Sequence, residues 1–270
     1  MFCHNPPMAG LGVPRDPIHL TGGNGDTVWA GETEVKNRHG RVVTEDVMFG
    51  ARSCLETLKR AKVTAFIYME GSPSCGVYRT TLKSTKRGNP PGVFGALLLS
   101  QGYFLIPAAD MQSPLKWWDW RRRLLAFYWL KNATITNKTD LYTVWSKLKF
   151  LFQELDNVWA RAMGHTLAEL KHEPETAFVL QFRSEALNIL RKPSSVKRIT
   201  NSLWKNYAHY RKAAGKTVDE IHSPDFQRNI TTVAQELITM ERKALEDGIL
   251  FGTTPVIYRE KRRLPSPAKA

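Results

Sequence analysis

Two short apolar runs separated by a helical segment constrain the fold of this chain most strongly. "TAFIYM" (64–69) and "YFLIPA" (103–108) are β-branched and aromatic and too short for helices, which is typical of buried strands. Between them, "GVFGALLLSQG" (92–102) predicts a helix closed by Gly102. A strand, a helix and a second strand in this order favour a parallel pair joined by a right-handed crossover. The sequence therefore predicts an α/β domain with a mainly parallel sheet over residues 1–112.

A longer helix is predicted before the first of these strands. "TEDVMFGARSCLETLKRAKV" (44–63) opens with Thr44, a good helix cap, and its apolar residues recur at helical spacing from Val47 to Leu58. Upstream, "GLGVPRDPIHLTGGNGDTVW" (10–29) is rich in Gly and Pro, which favours loops and turns.

From Pro114 onward the pattern changes to long amphipathic helices, which predicts an all-α helical domain over residues 113–255 and a basic, extended tail over 256–270. "TDLYTVWSKLKFLFQELDNVWARAMG" (139–164) predicts one helix. Its apolar stripe is expected to pack against neighbouring helices and consists of Leu141, Trp145, Leu148, Phe152, Leu155 and Trp159. "SPDFQRNITTVAQELITMERKALEDG" (223–248) predicts the last long helix, with Phe226, Ile230, Val233, Leu237 and Met240 on one face.

The charge of the chain is uneven. The formal net charge is +14, and residues 113–270 carry 27 Lys and Arg against 16 Asp and Glu, a net charge of +11. A basic half of this kind is typical of a protein that binds a polyanion. The alternative is a solvated helical surface that is rich in Lys, and the size of the charge favours nucleic acid over that alternative.

No segment approaches the roughly 18 uninterrupted apolar residues of a membrane span. The N-terminus "MFCHNPPMAG" also lacks the charged start and apolar stretch of a secretory signal. The sequence therefore predicts a protein of the cytoplasm, with the mitochondrial matrix as the alternative.

The three cysteines are Cys3, Cys54 and Cys75, too few for a disulfide framework. Cys54 lies in the predicted helix and is interpreted as a small apolar core residue. Cys75 lies in "MEGSPSCGVY" (69–78), a turn that directly follows a predicted strand. In parallel sheets ligands bind at the carboxyl ends of strands, so this turn is the candidate site of the α/β domain.

Four segments in order, "FCHNPPMAGLGVPRDPIHLTGGNGD", "TEDVMFGA", "GSPSCG" and "GVFGALLLSQGYFLIP", resemble the thiouracil desulfidase family over essentially all of residues 1–108. These are iron–sulfur enzymes that remove sulfur from thiolated pyrimidines. The C-terminal half is similar, more faintly, to the helical partner domain of a two-domain branch that acts on 4-thiouridine in transfer RNA.

The resemblance implies a cluster site. The family holds its cluster with three cysteines and leaves one iron open for the sulfur of the substrate. Carried over to this chain, Cys3 and Cys75 are cluster ligands, and Ser72 corresponds to a serine that contacts the substrate. Thiolate is a suitable ligand for iron, and nearby N–H groups tune such clusters. The resemblance therefore predicts that Cys3 and Cys75 face one cleft.

Two departures from the family pattern favour a degenerate site. Asn5 takes the place of the glutamate of the family's Cys-Pro-Glu motif, and an amide does not exchange a proton near neutral pH. The family's first strand, with a Ser-x-Cys-Leu turn bearing the first ligand, has no counterpart in the sequence. The sheet is therefore expected to have an edge that a partner chain or the C-terminal part of this chain covers.

The run "WWDWRRRLLAFYWLK" (117–131) interleaves basic and aromatic residues. Trp117, Trp120 and Trp129 are expected to be buried, with the Arg residues on the solvent face and free to meet phosphate. The candidate RNA contacts of the helical domain are Arg121, Arg122, Arg123, Lys131, Lys147, Lys149, Lys192, Lys197, Arg198, Lys205, Arg211 and Lys212.

Two functions follow from these observations. The first is an RNA-associated protein derived from a thiopyrimidine desulfidase, degenerate at its active site and acting as an RNA-binding component, with transfer or ribosomal RNA and a large ribonucleoprotein as partners. The alternative is an active iron–sulfur-dependent desulfidase, in which a thiopyrimidine flipped out of the RNA reaches Ser72 and Cys75.

Overall fold

Two pairs of short strands form in the N-terminal unit of the computed structural model, which describes residues 10, 16–78, 88–223 and 225–249. β1 (Ile18–Leu20) pairs antiparallel with β2 (Val35–Asn37). β3 (Ala65–Tyr68) pairs parallel with β4 (Phe104–Pro107). The parallel pair joins the two apolar runs as predicted, and the antiparallel pair is an addition that the sequence did not indicate. That a partner chain or the C-terminal part of this chain covers the sheet edge stays a prediction.

The prediction of loops over residues 10–29 is wrong in part, because β1 and a five-residue helix, α1 (Gly25–Trp29), lie there. Asn24 Oδ1 accepts a hydrogen bond from the N–H of Thr27 at 3.0 Å, and Thr27 Oγ1 accepts one from the N–H of Asn24 at 2.9 Å. This reciprocal capping satisfies two N–H groups at the start of α1. Elements of three and five residues are too short to show a period in the sequence.

The longer predicted helices of this unit are confirmed as α2 (Thr44–Arg60) and α3 (Val93–Ser100). The apolar face of α2 from Val47 to Leu58 is buried. Thr44, however, does not cap α2. Its hydroxyl accepts a hydrogen bond from the N–H of Val35 at 2.9 Å, so Thr44 ties β2 to the start of the helix instead.

Aromatic residues fill the core between the parallel strands and the helices. The rings of Phe66 on β3 and Phe94 on α3 meet edge to face at 5.7 Å between centroids. Tyr68, Leu98 and Leu105 are buried in the same cluster. Burial of these side chains holds the helices against the strands, and it places the carboxyl end of β3 beside the first turn of α3.

The chain divides into two units, residues 1–112 and 113–270, and the second is helical in its described part. Its helices are α4 (Pro114–Asn132), α5 (Lys138–Leu155), α6 (Asn157–Glu169), α7 (Thr176–Arg191), α8 (Val196–Ala214) and α9 (Ile230–Glu246). The prediction of an α/β part followed by an all-α part is confirmed. The tail over 256–270 lies outside the described residues.

Two helix boundaries differ from the predictions. The predicted helix over 139–164 is two helices, because Asp156 leaves the helical conformation and its carboxylate accepts the N–H of Trp159 at 3.1 Å. The last helix starts at Ile230, capped by Asn229, rather than near Phe226. Phe226 instead stacks on His222 at 4.0 Å between ring centroids. In both places a short polar side chain satisfies the N–H groups of a new helix.

The apolar stripe of the 139–164 segment packs into the core as predicted. Leu148 and Phe152 are fully buried, and Phe152 meets Trp159 edge to face at 5.2 Å across the break between α5 and α6. Trp159 also stacks near Phe182 of α7 and donates its indole N–H to Glu185 at 2.7 Å. The stripe therefore joins three helices.

A buried ion-pair network links α4 to three other helices. Arg122 Nη2 lies 2.6 Å from Asp119 Oδ1, and its guanidinium also binds both carboxylate oxygens of Glu154 on α5. Arg123 pairs with Asp119 at 2.8 Å and donates to the carbonyl of Leu190 on α7 at 3.1 Å. Ser202 of α8 donates to Glu154 at 2.5 Å.

The expectation that the Arg residues of the 117–131 run lie on the solvent face is wrong for Arg122 and Arg123, which are both 0% exposed. Their guanidiniums stack on Trp118 and Trp120, at 4.4 and 3.9 Å from the ring centroids. The prediction of burial is right for Trp120 but wrong for Trp117, which is 38% exposed. Arg122 and Arg123 therefore belong to the core and not to a basic surface.

Burial alone would raise the pKa of Asp119, but the charges of Arg123 and Arg122 and their hydrogen bonds outweigh it, so the pKa of this carboxyl is lowered. The network contains two carboxylates and two guanidiniums and is neutral as a whole. A buried charge is tolerated when it is paired and hydrogen-bonded in this way.

None of the helices in the described ranges is both long enough and apolar enough to cross a membrane.

We predict that Asp119→Asn lowers the free energy of unfolding by about 3–5 kcal/mol, because it leaves two buried guanidiniums with a single carboxylate. Urea denaturation followed by circular dichroism measures this change. The matched control is Glu246→Gln, which removes the charge of an exposed pair with Lys243 at 3.7 Å. The control should change stability by less than about 0.5 kcal/mol. Equal stability of the two variants would contradict the role given to the network.

Candidate functional site

The turn that follows β3 is closed by its own hydrogen bonds. The hydroxyl oxygen of Ser72 accepts the N–H groups of Ser74 and Cys75, both at 3.2 Å. The N–H of Gly76 donates to the carbonyl of Ser72 at 2.9 Å. Ser72, which the resemblance assigns to substrate contact, thus shapes the turn that carries Cys75.

The turn is braced against the first residues of α3. The N–H of Val93 donates to the carbonyl of Pro73 at 3.1 Å, and the N–H of Phe94 donates to the carbonyl of Ser74 at 2.7 Å. The N–H of Gly95 shares the carbonyl of Ser74 at 3.0 Å. The N–H groups at a helix start can bind an anion, but these three are already bonded to the turn.

Backbone meets backbone at this junction, which only glycine permits. A Cβ atom at Gly92 would lie 2.5 Å from the carbonyl oxygen of Pro73, and one at Gly95 would lie 2.6 Å from that of Gly76. Both distances are shorter than any contact that carbon tolerates, and the opposing atoms belong to the backbone. The glycines of "GVFGALLLSQG" therefore serve the close approach of α3 to the turn.

Cys75 is 5% exposed and packs in the core cluster of the α/β unit. Its Sγ lies 3.6 Å from the carbonyl oxygen of Met69, to which the thiol donates. Cys54 packs against the same cluster, and its burial raises the pKa of its thiol, consistent with a core residue. Neither of these cysteines is in a disulfide.

Glu70 is a member of this turn that the sequence did not single out. Its carboxylate accepts the hydroxyl of Tyr68 at 2.8 Å and the N–H of Tyr78 at 3.3 Å. Burial, followed by the charge of Glu70, raises the pKa of Tyr68 well above its ordinary value, so its hydroxyl stays a donor. The feature of the sequence that could have identified Glu70 is its position between the predicted strand and "GSPSCG".

Cys3 and Asn5 lie outside the described residues, so the predicted cleft between Cys3 and Cys75 stays a prediction. Within the described ranges, no group of three His, Cys, Asp or Glu side chains could hold a metal ion. The described part of the turn offers one thiol, that of Cys75.

The structure separates the three Arg candidates of α4 from the other candidate RNA contacts, and Lys131 at the end of the same helix is exposed. Arg122 and Arg123 are buried in the network described above. Arg121 is 38% exposed but pairs with the buried carboxylate of Glu241 at 2.7 Å, which also accepts the indole N–H of Trp118 at 3.3 Å. These three Arg residues therefore connect helices.

The exposed side of α8 keeps four of the nine remaining candidates together. Its buried side consists of Ile199, Ser202, Leu203, Asn206 and Tyr210. The opposite side is exposed and bears Lys197, Lys205, Arg211 and Lys212. We call these four residues the α8 basic face. The 19 residues of α8 include no Asp or Glu, and none of the described acidic side chains forms an ion pair with Lys197, Lys205 or Lys212.

The other candidates have contacts beside or away from this face. Arg198 is exposed, and its guanidinium donates to the carbonyl of Leu155 at 2.9 Å, which ties α8 to the end of α5. The ammonium groups of Lys147 and Lys149 lie 5.4 and 5.0 Å from the rings of Trp129 and Phe150. The ring of Phe150 also lies 6.2 Å from the ring of His209, which brings this part of α5 to α8.

Comparison with known proteins identifies relatives of the α/β unit. A family model described as 2-thiouracil desulfurase matches residues 3–110. An uncharacterized protein of Bacillus subtilis (strain 168), named YbbK, is 35% identical over 111 residues, which are 40% of this chain and 73% of YbbK. No solved structure matches this chain. The matched region contains the whole of the Ser72–Cys75 turn and the helix that braces it.

We predict that Gly95→Ala lowers the free energy of unfolding by about 1–3 kcal/mol, because the new methyl group overlaps the carbonyl of Gly76. Thermal unfolding measures the change. The matched control is Gly164→Ala in α6, where a Cβ would lie 3.3 Å from the Trp145 ring, a side chain that can shift. The control should be close to neutral, since alanine favours the helix. A Gly95→Ala variant as stable as the control would contradict this prediction, because it would show that the turn shifts to accept the methyl group at little cost.

Proposed function

Because this chain belongs to the 2-thiouracil desulfurase family through its α/β unit, we propose that it is an RNA-binding protein derived from such an enzyme. The ancestral site no longer removes sulfur, and the protein acts as a component of a ribonucleoprotein. The observation that carries this proposal is the α8 basic face, which is exposed, cationic and free of acidic residues.

The geometry of the α8 basic face suits a phosphate backbone. Lys197 and Lys212 are 15 positions apart, which is about 22 Å along a helix that rises about 1.5 Å per residue. Long, flexible side chains at Lys197, Lys205 and Lys212 can each meet a phosphate without a fixed sequence of bases. Because these lysines form no ion pair with a carboxylate among the described residues, they lose none there when they bind a polyanion.

The face continues onto α5 with both charge and an aromatic ring. Lys149 stays near the ring of Phe150, and that ring packs on His209 at 6.2 Å. Phe150 and His209 are half-buried, so their exposed edges can support an unpaired base beside the phosphate contacts. This combination favours single-stranded RNA over a duplex, whose bases are already stacked.

Two features support the loss of the ancestral chemistry. Asn5 stands where the family has a glutamate, and an amide cannot take up or release a proton near neutral pH. The hydroxyl of Ser72 accepts two N–H groups of its own turn, so it has a structural role that does not require a substrate. A turn of this kind can persist for the stability of the fold after the reaction is gone.

We predict that reversal of Lys197, Lys205 and Lys212 to Glu weakens binding of a single-stranded RNA by at least about a hundredfold. With about five phosphate contacts, the slope of log affinity against log salt is about −3.5 for the wild type, and it should fall to about −1.4 for the variant. Fluorescence anisotropy at several salt concentrations measures both quantities. Circular dichroism should be unchanged, because the three side chains are exposed.

The control variant carries the same change of charge elsewhere, at three exposed cations: Arg60, Arg161 and Lys171, each changed to Glu. It should keep most of the affinity and most of the salt slope. Equal losses in the two variants would show that only the net charge matters. Undiminished binding after reversal of the α8 basic face would refute the proposed interface.

A second candidate function, an active desulfurase, is favoured by the placement of Cys75 at the carboxyl end of β3, where parallel sheets bind ligands. Such an enzyme would hold an iron–sulfur cluster with Cys3 and Cys75 among its ligands, and the cluster would bind the sulfur of the substrate. Of these two ligands, Cys75 lies among the described residues.

We predict that anaerobic reconstitution with iron and sulfide leaves the protein colourless and free of iron, because the site is degenerate. Visible absorption and iron analysis test this. Bound iron that is lost in Cys75→Ser but kept in Cys54→Ser would establish the second candidate and overturn the degenerate site. The Cys54 variant is the matched control, since Cys54 packs against the same core.

A further inference from the structure

A pocket of about 440 Å³ opens at the C-terminal end of the α8 basic face. Its lining comes from the last turns of α8 and the three residues that follow the helix: Ala208, Arg211, Lys212, Gly215, Lys216 and Thr217. Two of the residues, Arg211 and Lys212, belong to the α8 basic face. The pocket is therefore the point at which a strand bound along that face would end or turn.

The chain reverses sharply enough at this point to bring a third cation to the pocket. Gly215 adopts a left-handed conformation with φ of 67°, and its N–H donates to the carbonyl of Arg211. This is a common helix ending, and here it directs the chain after the helix back toward the last turn. Lys216 and Thr217 consequently line the same pocket as Arg211.

The third cation, Lys216, pairs with the carboxylate of Asp247, which does not line the pocket. Lys216 Nζ lies 2.8 Å from Asp247 Oδ1, and the hydroxyl of Tyr210 donates to Asp247 Oδ2 at 2.5 Å. The hydrogen bond from Lys216, followed by that from Tyr210, lowers the pKa of Asp247, so it stays charged. Asp247 offsets one of the three cations, which leaves a net charge of about +2 around the pocket.

The positive charge of the pocket is larger than the partial negative charge at the C-terminus of the helix. The C-terminus of a helix carries about half a negative charge, which disfavours an anion. Arg211, Lys212 and Lys216 supply three positive charges within the lining of one pocket, and the guanidinium of Arg211 also lies 5.8 Å from the centroid of the Tyr207 ring. Charge-assisted hydrogen bonds from such groups to phosphate are among the stronger polar contacts.

We propose that this pocket binds the terminal phosphate of an RNA chain, as a phosphate monoester; the proposal rests on the proposed RNA-binding function. A terminal phosphate carries about −1.5 to −2 charges near pH 7, compared with −1 for an internal diester, so it matches the net charge of the pocket. The hydroxyl of Thr217 adds a donor to the cations. The strand follows Lys197 and Lys205 and ends in the pocket.

The experiment compares three single-stranded RNAs of one sequence, with a 5′-phosphate, a 3′-phosphate or hydroxyls at both ends. Fluorescence anisotropy with the full chain at fixed salt measures their affinities. One of the two phosphorylated RNAs should bind about tenfold more tightly than the RNA with hydroxyl ends, and the favoured one identifies the polarity of the strand.

Two variants locate the effect. Lys216→Ala should abolish the preference for the phosphorylated end and leave the affinity for hydroxyl-ended RNA nearly unchanged, because Lys216 is outside the α8 basic face. Lys197→Ala, at the other end of α8, should weaken all three RNAs equally and keep the preference. Circular dichroism of Lys216→Ala checks that the lost pair with Asp247 leaves the helices intact.

The outcomes separate this inference from the function on which it rests. Equal affinities of the wild type for all three RNAs, or a preference that survives Lys216→Ala, would overturn the terminal-phosphate pocket while RNA binding stands. Failure of all three RNAs to bind would overturn the proposed function and the inference together.

Discussion

The buried pairing of Arg122 with Asp119 and Glu154 is the interaction on which the helical unit most depends. It joins α4 to α5, and through Arg123 and Ser202 it reaches α7 and α8, so four helices meet at one neutral cluster. Each ion would be costly to bury alone, and each is acceptable only while its partners stay in place. The cluster therefore admits one arrangement of these helices more readily than a purely apolar core would.

This constraint also divides the positive charge of the chain into two kinds. Arg122 and Arg123 are buried inside the fold, where tryptophan rings and carboxylates surround them. The lysines of α8 remain outside, on a helix without acidic residues. A net charge of +11 over residues 113–270 thus overstates the charge that a polyanion can meet, but four of the exposed cations lie together on one face of α8. Cations concentrated on one face of a helix favour the binding of a polyanion, whereas scattered cations would serve only solubility.

The α/β unit follows a different principle, close contact between backbones. Gly92 and Gly95 let the start of α3 bond directly to the turn that carries Cys75. The first N–H groups of the helix donate to carbonyls of that turn. The same contact makes the turn rigid and buries its thiol. Membership of the 2-thiouracil desulfurase family explains why the turn exists, whereas the packing explains why the turn would last without catalysis.

The sequence by itself determined the two-part architecture, because the strand–helix–strand order of the first part and the helical periodicity of the second are local patterns. It also determined the family, through ordered segments such as "GSPSCG", and the apolar stripe through Leu148 and Phe152. It did not show β1 or α1, which are too short for a period, nor the break at Asp156, where one carboxylate starts a new helix. Only the tertiary structure decided which cations are buried, since Arg122 and Lys197 both have basic neighbours in sequence. Arg122 has a local partner in Asp119, but its second carboxylate, Glu154, is 32 residues away and is supplied only by the fold.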